Sequence, residues 1–308
     1  MSLVALLKGK GKSGFGYGST AEVVTEGVAL KGKQFLVTGS TSGIGLETVR
    51  VLAQRGARVF ATGRSKDKVR EALGRMPGSF VPLACELAEP RSVRACVAEV
   101  IAEGAKLDGI IANAGVMALP TLELVHGYER QFFTNHIGHF LLVTGLLGQL
   151  AEQGRIVMLS SGAHTMAPKA GIEFENLAGQ LSYAPWTAYG QSKLANLLFA
   201  KHLAKRLSSQ GSSVTANAVH PGVIMSGLQR NMPAIQRFGM AVAAPIGFKS
   251  IAEGAATQVY VATRPDLAGV SGEYFADCNI AQPTAQARDA ALAERLWVTS
   301  ERIVAGLN

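Results

Sequence analysis

The sequence predicts an α/β fold, a doubly wound parallel sheet with helices on both faces, built as a single domain within 308 residues. Three observations predict it. From residue 33 onward, short and nearly all-apolar runs alternate with longer amphipathic stretches, as buried parallel strands alternate with crossover helices. A glycine-rich turn stands where the first strand meets the first helix. Hydrophobic residues make up 48% of the chain and charged residues 17%, which suits one large core and excludes a disordered chain.

The elements follow in order. Residues 1–32 are expected to form an N-terminal extension, irregular through Gly14-Phe15-Gly16-Tyr17-Gly18 and helical near 20–26. The domain itself spans 33–308. It opens with strand 34–38 (QFLVT) and helix 46–55, then strand 58–62 (RVFAT) and helix 66–75. Strand 80–84 leads to helix 90–103, which Pro90 can start because the first helical residue needs no N–H partner. Strand 109–112 precedes a long helix ending near 150; strand 155–159, helix 188–207 and strand 214–219 complete the series. Right-handed crossovers between such strands give a doubly wound sheet. The segment 225–250 carries Leu228, Met232, Ile235, Phe238, Met240 and Val242 and reads as an apolar, adaptable substrate loop.

Charge and cysteine content narrow the function. The net charge is +8, but Lys8, Lys10, Lys12, Lys31 and Lys33 crowd the first 33 residues and no basic cluster interleaves with aromatics. A basic tail on a solvated surface is the reading, with no nucleic-acid partner. Cys85, Cys96 and Cys278 are odd in number and widely spaced, so neither a disulfide framework nor a structural zinc site is expected and a cytoplasmic location fits. The apolar run at 3–7 is too short for a secretory leader, and no stretch suits an integral membrane span. His136 and His139 are spaced i,i+3 without a third ligand nearby, so no metal is expected; these two, His164 and His220 are read as solvated or core-edge.

The turn reads Thr38-Gly39-Ser40-Thr41-Ser42-Gly43-Ile44-Gly45. Glycines there let backbone N–H groups approach a pyrophosphate at a helix N-terminus, where the helix dipole favours negative charge. The spacing is Gly-x-x-x-Gly-x-Gly. In this the sequence resembles the classical short-chain dehydrogenase/reductase family, whose TGxxxGIG turn it reproduces. Matches continue over about 33–280: Asn113-Ala114-Gly115, Asn135, Ser161, Tyr189-x-x-x-Lys193, and Pro221-Gly222 with Ser226. The resemblance implies a Rossmann fold and an enzyme that interconverts an alcohol and a ketone or aldehyde with a nicotinamide cofactor, commonly as a homo-oligomer. It further implies cofactor contacts at Gly39, Ser42, Gly43, Ile44 and Gly45, at Asn113, Ala114 and Gly115, at Tyr189 and Lys193, and at Pro221, Gly222, Val223 and Ser226. Glu86-Leu87 stands where the family usually carries Asp-Leu beside the adenine. Ala112 replaces the first Asn of the commoner Asn-Asn-Ala-Gly.

Cofactor choice is argued at the end of the second strand. An acidic residue there binds a ribose 2′-hydroxyl and selects NAD(H), whereas an Arg accommodates a 2′-phosphate. Gly63 fills the acidic slot and Arg64 follows it with a fork suited to phosphate. NADP(H) is the expected cofactor, with NAD(H) the alternative.

Tyr189 and Lys193, four apart on one helix, share a face. A free phenol titrates near pH 10. A nearby ammonium favours the phenolate and is expected to move that value down, toward what proton transfer needs. Ser161 ends a strand and can donate to a substrate oxygen as charge builds there; alignment with the family favours it over Ser160. Asn135 and Gly138 are poor interior helix residues, so their helix is expected to be distorted; the family's Asn anchors a proton-relaying water. The 27 residues between Ser161 and Tyr189 exceed the spacing of compact members and resemble the retinol-dehydrogenase-like branch, which acts on lipophilic alcohols and carbonyls. Two further readings stand beside this one: a catalytically silent cofactor-sensing regulator on the same fold, which loss of the Tyr or Lys would signal, and a sugar-nucleotide epimerase or dehydratase, which also uses Tyr-x-x-x-Lys.

Overall fold

The computed structural model describes residues 4, 8–104, 106–224 and 247–307. Its strands are β1 (Gln34–Val37), β2 (Arg58–Gly63), β3 (Ser79–Ala84), β4 (Leu107–Ala112), β5 (Leu124–Val125), β6 (Tyr128–Glu129), β7 (Leu150–Leu159), β8 (Thr215–His220), β9 (Tyr274–Ala276) and β10 (Asn279–Ile280). The main sheet runs β10-β9-β8-β7-β4-β1-β2-β3, with every neighbouring pair parallel except β9 and β10; β5 and β6 form a separate hairpin. The helices are α1 (Ala21–Val24), α2 (Gly43–Gln54), α3 (Lys66–Leu73), α4 (Pro90–Ala102), α5 (Arg130–Phe132), α6 (Gly138–Leu146), α7 (Pro185–Ser209), α8 (Ile251–Thr263) and α9 (Ala290–Ala305).

Side chains alternate across the sheet and build two cores. Leu36, Phe60, Ile110 and Ile156 face one side, where they join Val93 and Cys96 of α4, Phe140 of α6 and Leu197 of α7. Phe35, Val37, Val59, Ile111 and Val157 face the other, against Val49 and Leu52 of α2 and Ala255 and Val259 of α8. Strands buried on both faces read as unbroken apolar runs, which is why β1, β4 and β7 were legible in sequence. Each large side chain so buried contributes about 1.5–3 kcal/mol relative to exposure.

Strand order reverses between β1 and β4, and this placement positions the site. Loops leaving adjacent carboxyl ends of strands on the two sides of such a reversal part to leave a crevice. The carboxyl ends of β1, β4, β7 and β8 carry the glycine turn, Asn113–Gly115, Ser160-Ser161 and His220–Gly222 respectively.

Several elements differ from the sequence expectation. The long helix expected to end near 150 is broken by a π-helical turn at Phe133–Ile137. Helix α7 begins three residues early, at Pro185, whose ring suits the first helical position. Histidines expected at solvated or core-edge positions are instead inside: His136, His139 and His164 are buried and only His220 is half-buried. Residues 8–30 pack on the domain, with Ala21, Val24 and Leu30 entering the second core. Most of the apolar segment 225–250, including Leu228, Met232, Ile235, Phe238, Met240 and Val242, lies outside the described residues, as does Ser226.

Candidate active site

The glycine turn forms because three backbone segments meet with no room for side chains. Gly39 and Gly43 adopt φ of 71° and 56°, a region that favours glycine. A Cβ on Gly39 would lie 3.0 Å from the Ala114 Cα. One on Gly45 would strike the Gly39 carbonyl oxygen and sit 2.5 Å from Asn113 Nδ2. Ser42 is the exposed N-cap of α2, and its side chain caps none of the helix N–H groups. Those donors and the dipole behind them make a cradle that fits an anionic diphosphate. Ile44 turns inward, 2.9 Å from where a Cβ on Gly254 of α8 would be.

The added methyl of Gly45→Ala meets rigid backbone. The variant is expected to lose nucleotide binding in a calorimetric titration and to lose about 1–3 kcal/mol of stability. Unchanged affinity in a folded variant would show that the nucleotide does not use this turn.

Thr38 locks the turn to the second strand end. Its hydroxyl oxygen accepts the N–H groups of Asn113 and Ala114, each at 2.9 Å, and lies 2.9 Å from His139 Nε2. His139 Nδ1 is 2.8 Å from the Asn135 carbonyl oxygen. One proton arrangement satisfies every group: Nδ1–H donates to Asn135, and the Thr38 hydroxyl donates to Nε2. Asn113 adds a bond from its side-chain nitrogen to the Thr38 carbonyl at 2.7 Å.

Asn135 sits in the π-helical turn and is fully buried. Its side chain exchanges two hydrogen bonds with the Val116 backbone, at 2.8 and 2.9 Å, and donates to the Ser192 hydroxyl at 2.9 Å. The Ser192 hydroxyl in turn donates to the Tyr189 carbonyl at 2.7 Å. Gly115 lies between Asn135 and Lys193, since a Cβ there would be 3.0 Å from Asn135 Oδ1 and 3.5 Å from Lys193 Nζ. Gly138 is required for a different close approach, because a Cβ would strike the Leu87 carbonyl oxygen.

Ser161, Tyr189 and Lys193 come together at the carboxyl end of β7. Lys193 is buried, donates to the Leu159 carbonyl at 3.1 Å, and holds its ammonium 5.7 Å from the Tyr189 ring centre. Ser160 donates to the Lys193 carbonyl at 2.8 Å and so ties α7 to β7, while Ser161 faces the phenol. Electrostatics depart from the expected lowering of the phenol. Burial pushes Tyr189 up to about 12, with the Ser161 hydrogen bond pulling the other way. Burial likewise pushes Lys193 down to about 8. In the free protein, desolvation disfavours the charged form of each group.

The remaining predicted positions frame the crevice. Gly63 ends β2 where a Cβ would press on Thr41 and Val69 side chains at 2.8 Å, and Arg64 beside it is exposed. Arg64 makes no ion pair among the described residues. Glu86 is half-buried; its N–H donates to Ser92 Oγ at 3.0 Å, so that donor is already engaged. Leu87 is buried. Pro221 and Gly222 are half-buried and Val223 is 49% exposed at the rim.

Sequence reasoning missed Thr38, Ser160, Ser192, His139 and His220. His220 Nδ1 accepts the Gly162 N–H at 3.0 Å and so braces the turn after Ser161. The i,i+4 spacing of Asn135 and His139 was the one available signal; the others become visible only once distant strand ends meet. No group of three or more His, Cys, Asp or Glu among the described residues could hold a metal ion, and no helix among them is long and apolar enough to cross a membrane.

Comparison with known proteins gives a consistent picture. Residues 33–236 match the family described as short chain dehydrogenase. The chain is similar to short-chain dehydrogenase TIC 32 B, chloroplastic, of Brassica napus, at 42% identity over the whole of both chains. It is also 42% identical to retinol dehydrogenase 12 of Mus musculus, covering 90% of this chain and 88% of that one. A crystal structure of an uncharacterized protein from Mycobacterium Paratuberculosis superposes with a TM-score of 0.75 at 32% identity, covering 94% of this chain and 98% of that one.

Proposed function

Because this chain belongs to the short-chain dehydrogenase family, in its retinol-dehydrogenase-like branch, we propose that it interconverts lipophilic alcohols and aldehydes or ketones with NADP(H), using Tyr189 to move the proton. The observation that carries the reading is the convergence of Ser161, Tyr189 and Lys193 beside a backbone cradle that only glycines permit.

The glycine cradle would hold the diphosphate, Lys193 the nicotinamide ribose, and Pro221–Val223 the ring face. When bound, the nicotinamide supplies or accepts the hydride. The chain's own residues position and polarise. Ser161 Oγ accepts the Ala163 N–H at 3.1 Å, which leaves its hydroxyl proton free to donate to a carbonyl oxygen. Tyr189 is protonated at neutral pH and so ready to deliver its proton in reduction. Lys193, poised near 8, can replace that proton. In oxidation the same groups take the proton in reverse. Asn135, held on both sides by Val116 and Ser192, keeps the floor beneath Lys193 rigid.

An apolar collar supports the lipophilic substrate class. Met117 and Ala118 pack with Tyr189, joined by Ala163 and by Trp186, which meets the Tyr189 ring edge-on at 6.1 Å. Such a mouth favours an apolar chain over a hydrated sugar. For the cofactor, Arg64 supports NADP(H): a free guanidinium fork stands where the acidic residue of an NAD(H) site would be, and packing at Gly63 leaves no room for one.

The experiment is a screen of long-chain and short polar aldehydes against NADPH and NADH. Long-chain aldehydes with NADPH are expected to give the highest kcat/KM. Arg64→Ala should raise KM for NADPH roughly 10–100-fold, the worth of charge-assisted bonds to a phosphate, and leave NADH unaffected. Equal use of both nucleotides by the unmodified enzyme would sink the cofactor assignment, and a preference for small polar carbonyls would sink the substrate class.

A further inference from the structure

Behind the turn at Pro221–Val223 the chain buries a charge that the chemistry above does not use. The Lys249 side chain is 1% exposed, and its ammonium lies 2.7 Å from Asp277 Oδ1. The pair is an ion contact without an aligned hydrogen bond, so the ammonium depends on its surroundings for stabilisation. Tyr17 provides it from the N-terminal segment, with its ring centre 4.7 Å from Lys249 Nζ. The Tyr17 hydroxyl donates to the Gly247 carbonyl.

Lys249 reaches the active-site wall directly. Its aliphatic stem covers Gly222, where a Cβ would lie 2.6 Å from Lys249 Cδ and where φ is 97°. Its N–H donates to the Val223 carbonyl at 2.8 Å, and Ile224 and Lys249 form an isolated parallel bridge. The stretches 222–224 and 247–249 flank the segment 225–246, so this bridge joins its two flanks.

The N-terminal segment also fixes Asp277. Asn279 accepts the Ser13 N–H at 3.0 Å and donates to the Phe15 carbonyl at 3.1 Å, pinning residues 13–15 to the hairpin of β9 and β10. Asp277 and Cys278 turn that hairpin at φ of 51° and 61°, which presents the Asp277 carboxylate to Lys249. Phe15 packs edge-on against Tyr260 of α8 at 5.6 Å.

We propose that Tyr17, Lys249 and Asp277 form a latch by which the N-terminal segment holds the 221–224 wall against the nicotinamide and substrate. Tyr17 and Lys249 are then positioning residues for the reaction. The proposal rests on the reading that Pro221–Val223 borders the nicotinamide. A wall displaced by even a fraction of an ångström weakens ground-state binding before it affects the proton-transferring groups, which stand on β7 and α7.

The test compares Tyr17→Phe, Tyr17→Leu and Lys249→Met with Lys12→Ala, an exposed control in the same segment. Steady-state kinetics with NADPH and a long-chain aldehyde are read beside backbone hydrogen exchange of the free protein at Lys249. KM for both substrates is expected to rise roughly tenfold in Tyr17→Leu and Lys249→Met, less in Tyr17→Phe, with kcat changing about twofold or less. Exchange at the Lys249 amide should accelerate in the same order, and Lys12→Ala should match the unmodified enzyme. Merely structural damage would lower kcat through a smaller active fraction and leave KM alone, which overturns the proposal. Unchanged exchange in Tyr17→Leu and Lys249→Met also overturns it. An unmodified protein that turns over no carbonyl compound with either nucleotide refutes the functional reading instead, while the exchange rates still judge the latch.

Discussion

Tyr189→Phe is expected to lower kcat about 10²–10⁴-fold, the range that a well-placed proton donor contributes. NADPH affinity and thermal stability should hardly move. The substitution deletes one oxygen and keeps the ring, which goes on packing against Met117, Ala118 and Trp186. The lost hydroxyl faces Ser161, and Ser161 retains its bond from the Ala163 N–H. Loss of activity would therefore report chemistry and not collapse of the site. Rapid-mixing measurement of reduced-nicotinamide absorbance separates the two directly. A kcat within about threefold of the unmodified enzyme would remove the phenol from the mechanism, since that is far less than a proton donor contributes.

Acid should begin to destabilise the protein below about pH 6.5, before ordinary carboxylates are protonated. Burial pushes His136 down to about 3 and His139 down to about 4. His220 is pushed down to about 4, first by burial and then by the neighbouring Lys249 charge. An unfolded histidine titrates near 6.5. Below that value the unfolded chain binds protons that the folded chain refuses, so stability is full above pH 6.5 and falls continuously toward pH 3–4. Each of the two fully buried rings contributes on the order of 3 kcal/mol to that loss. Together they rival a domain's whole net stability of about 5–15 kcal/mol. Urea unfolding at successive pH values checks this. His139→Gln, which keeps a polar group near Thr38, should flatten the fall between pH 6.5 and 4. An unaltered slope in both His139→Gln and His136→Gln would refute the assignment of acid lability to these rings.

The fold was legible where local chemistry and tertiary demand agree. Strands β1, β4 and β7 are buried on both faces, so their apolar runs need no partner to be recognised. The distortion expected from Asn135 and Gly138 is a π-helical turn, and its causes lie elsewhere: the Val116 backbone bonded to Asn135, and the Leu87 carbonyl pressed on Gly138. The chain beyond residue 250 went unread although its signals were present. Ser250 and Glu253 form a capping box that opens α8, and Asp289 caps α9. Lys249, by contrast, carries no signal. A lysine reads as surface until the fold brings Tyr17 to it across more than two hundred residues and turns Asp277 toward it from the β9–β10 hairpin.

The titration of Tyr189 illustrates the same limit inside the site. Four-residue spacing on a helix brings the phenol and amine to one face, and from spacing alone the ammonium should depress the phenol. Burial is a property of the folded whole, and here it raises the phenol instead. His139 is a parallel case. Its i,i+4 relation to Asn135 is local, but the Thr38 hydroxyl that completes its bonding comes from the end of β1.

A crystal structure of the protein with NADP⁺ bound tests the central assignment most directly. The diphosphate should rest on the backbone of Ser42–Gly45 with Arg64 on the 2′-phosphate, and the nicotinamide should lie between Pro221–Val223 and the Tyr189 hydroxyl. A nucleotide seated elsewhere, or one whose nicotinamide lies out of reach of Ser161, Tyr189 and Lys193, would contradict it.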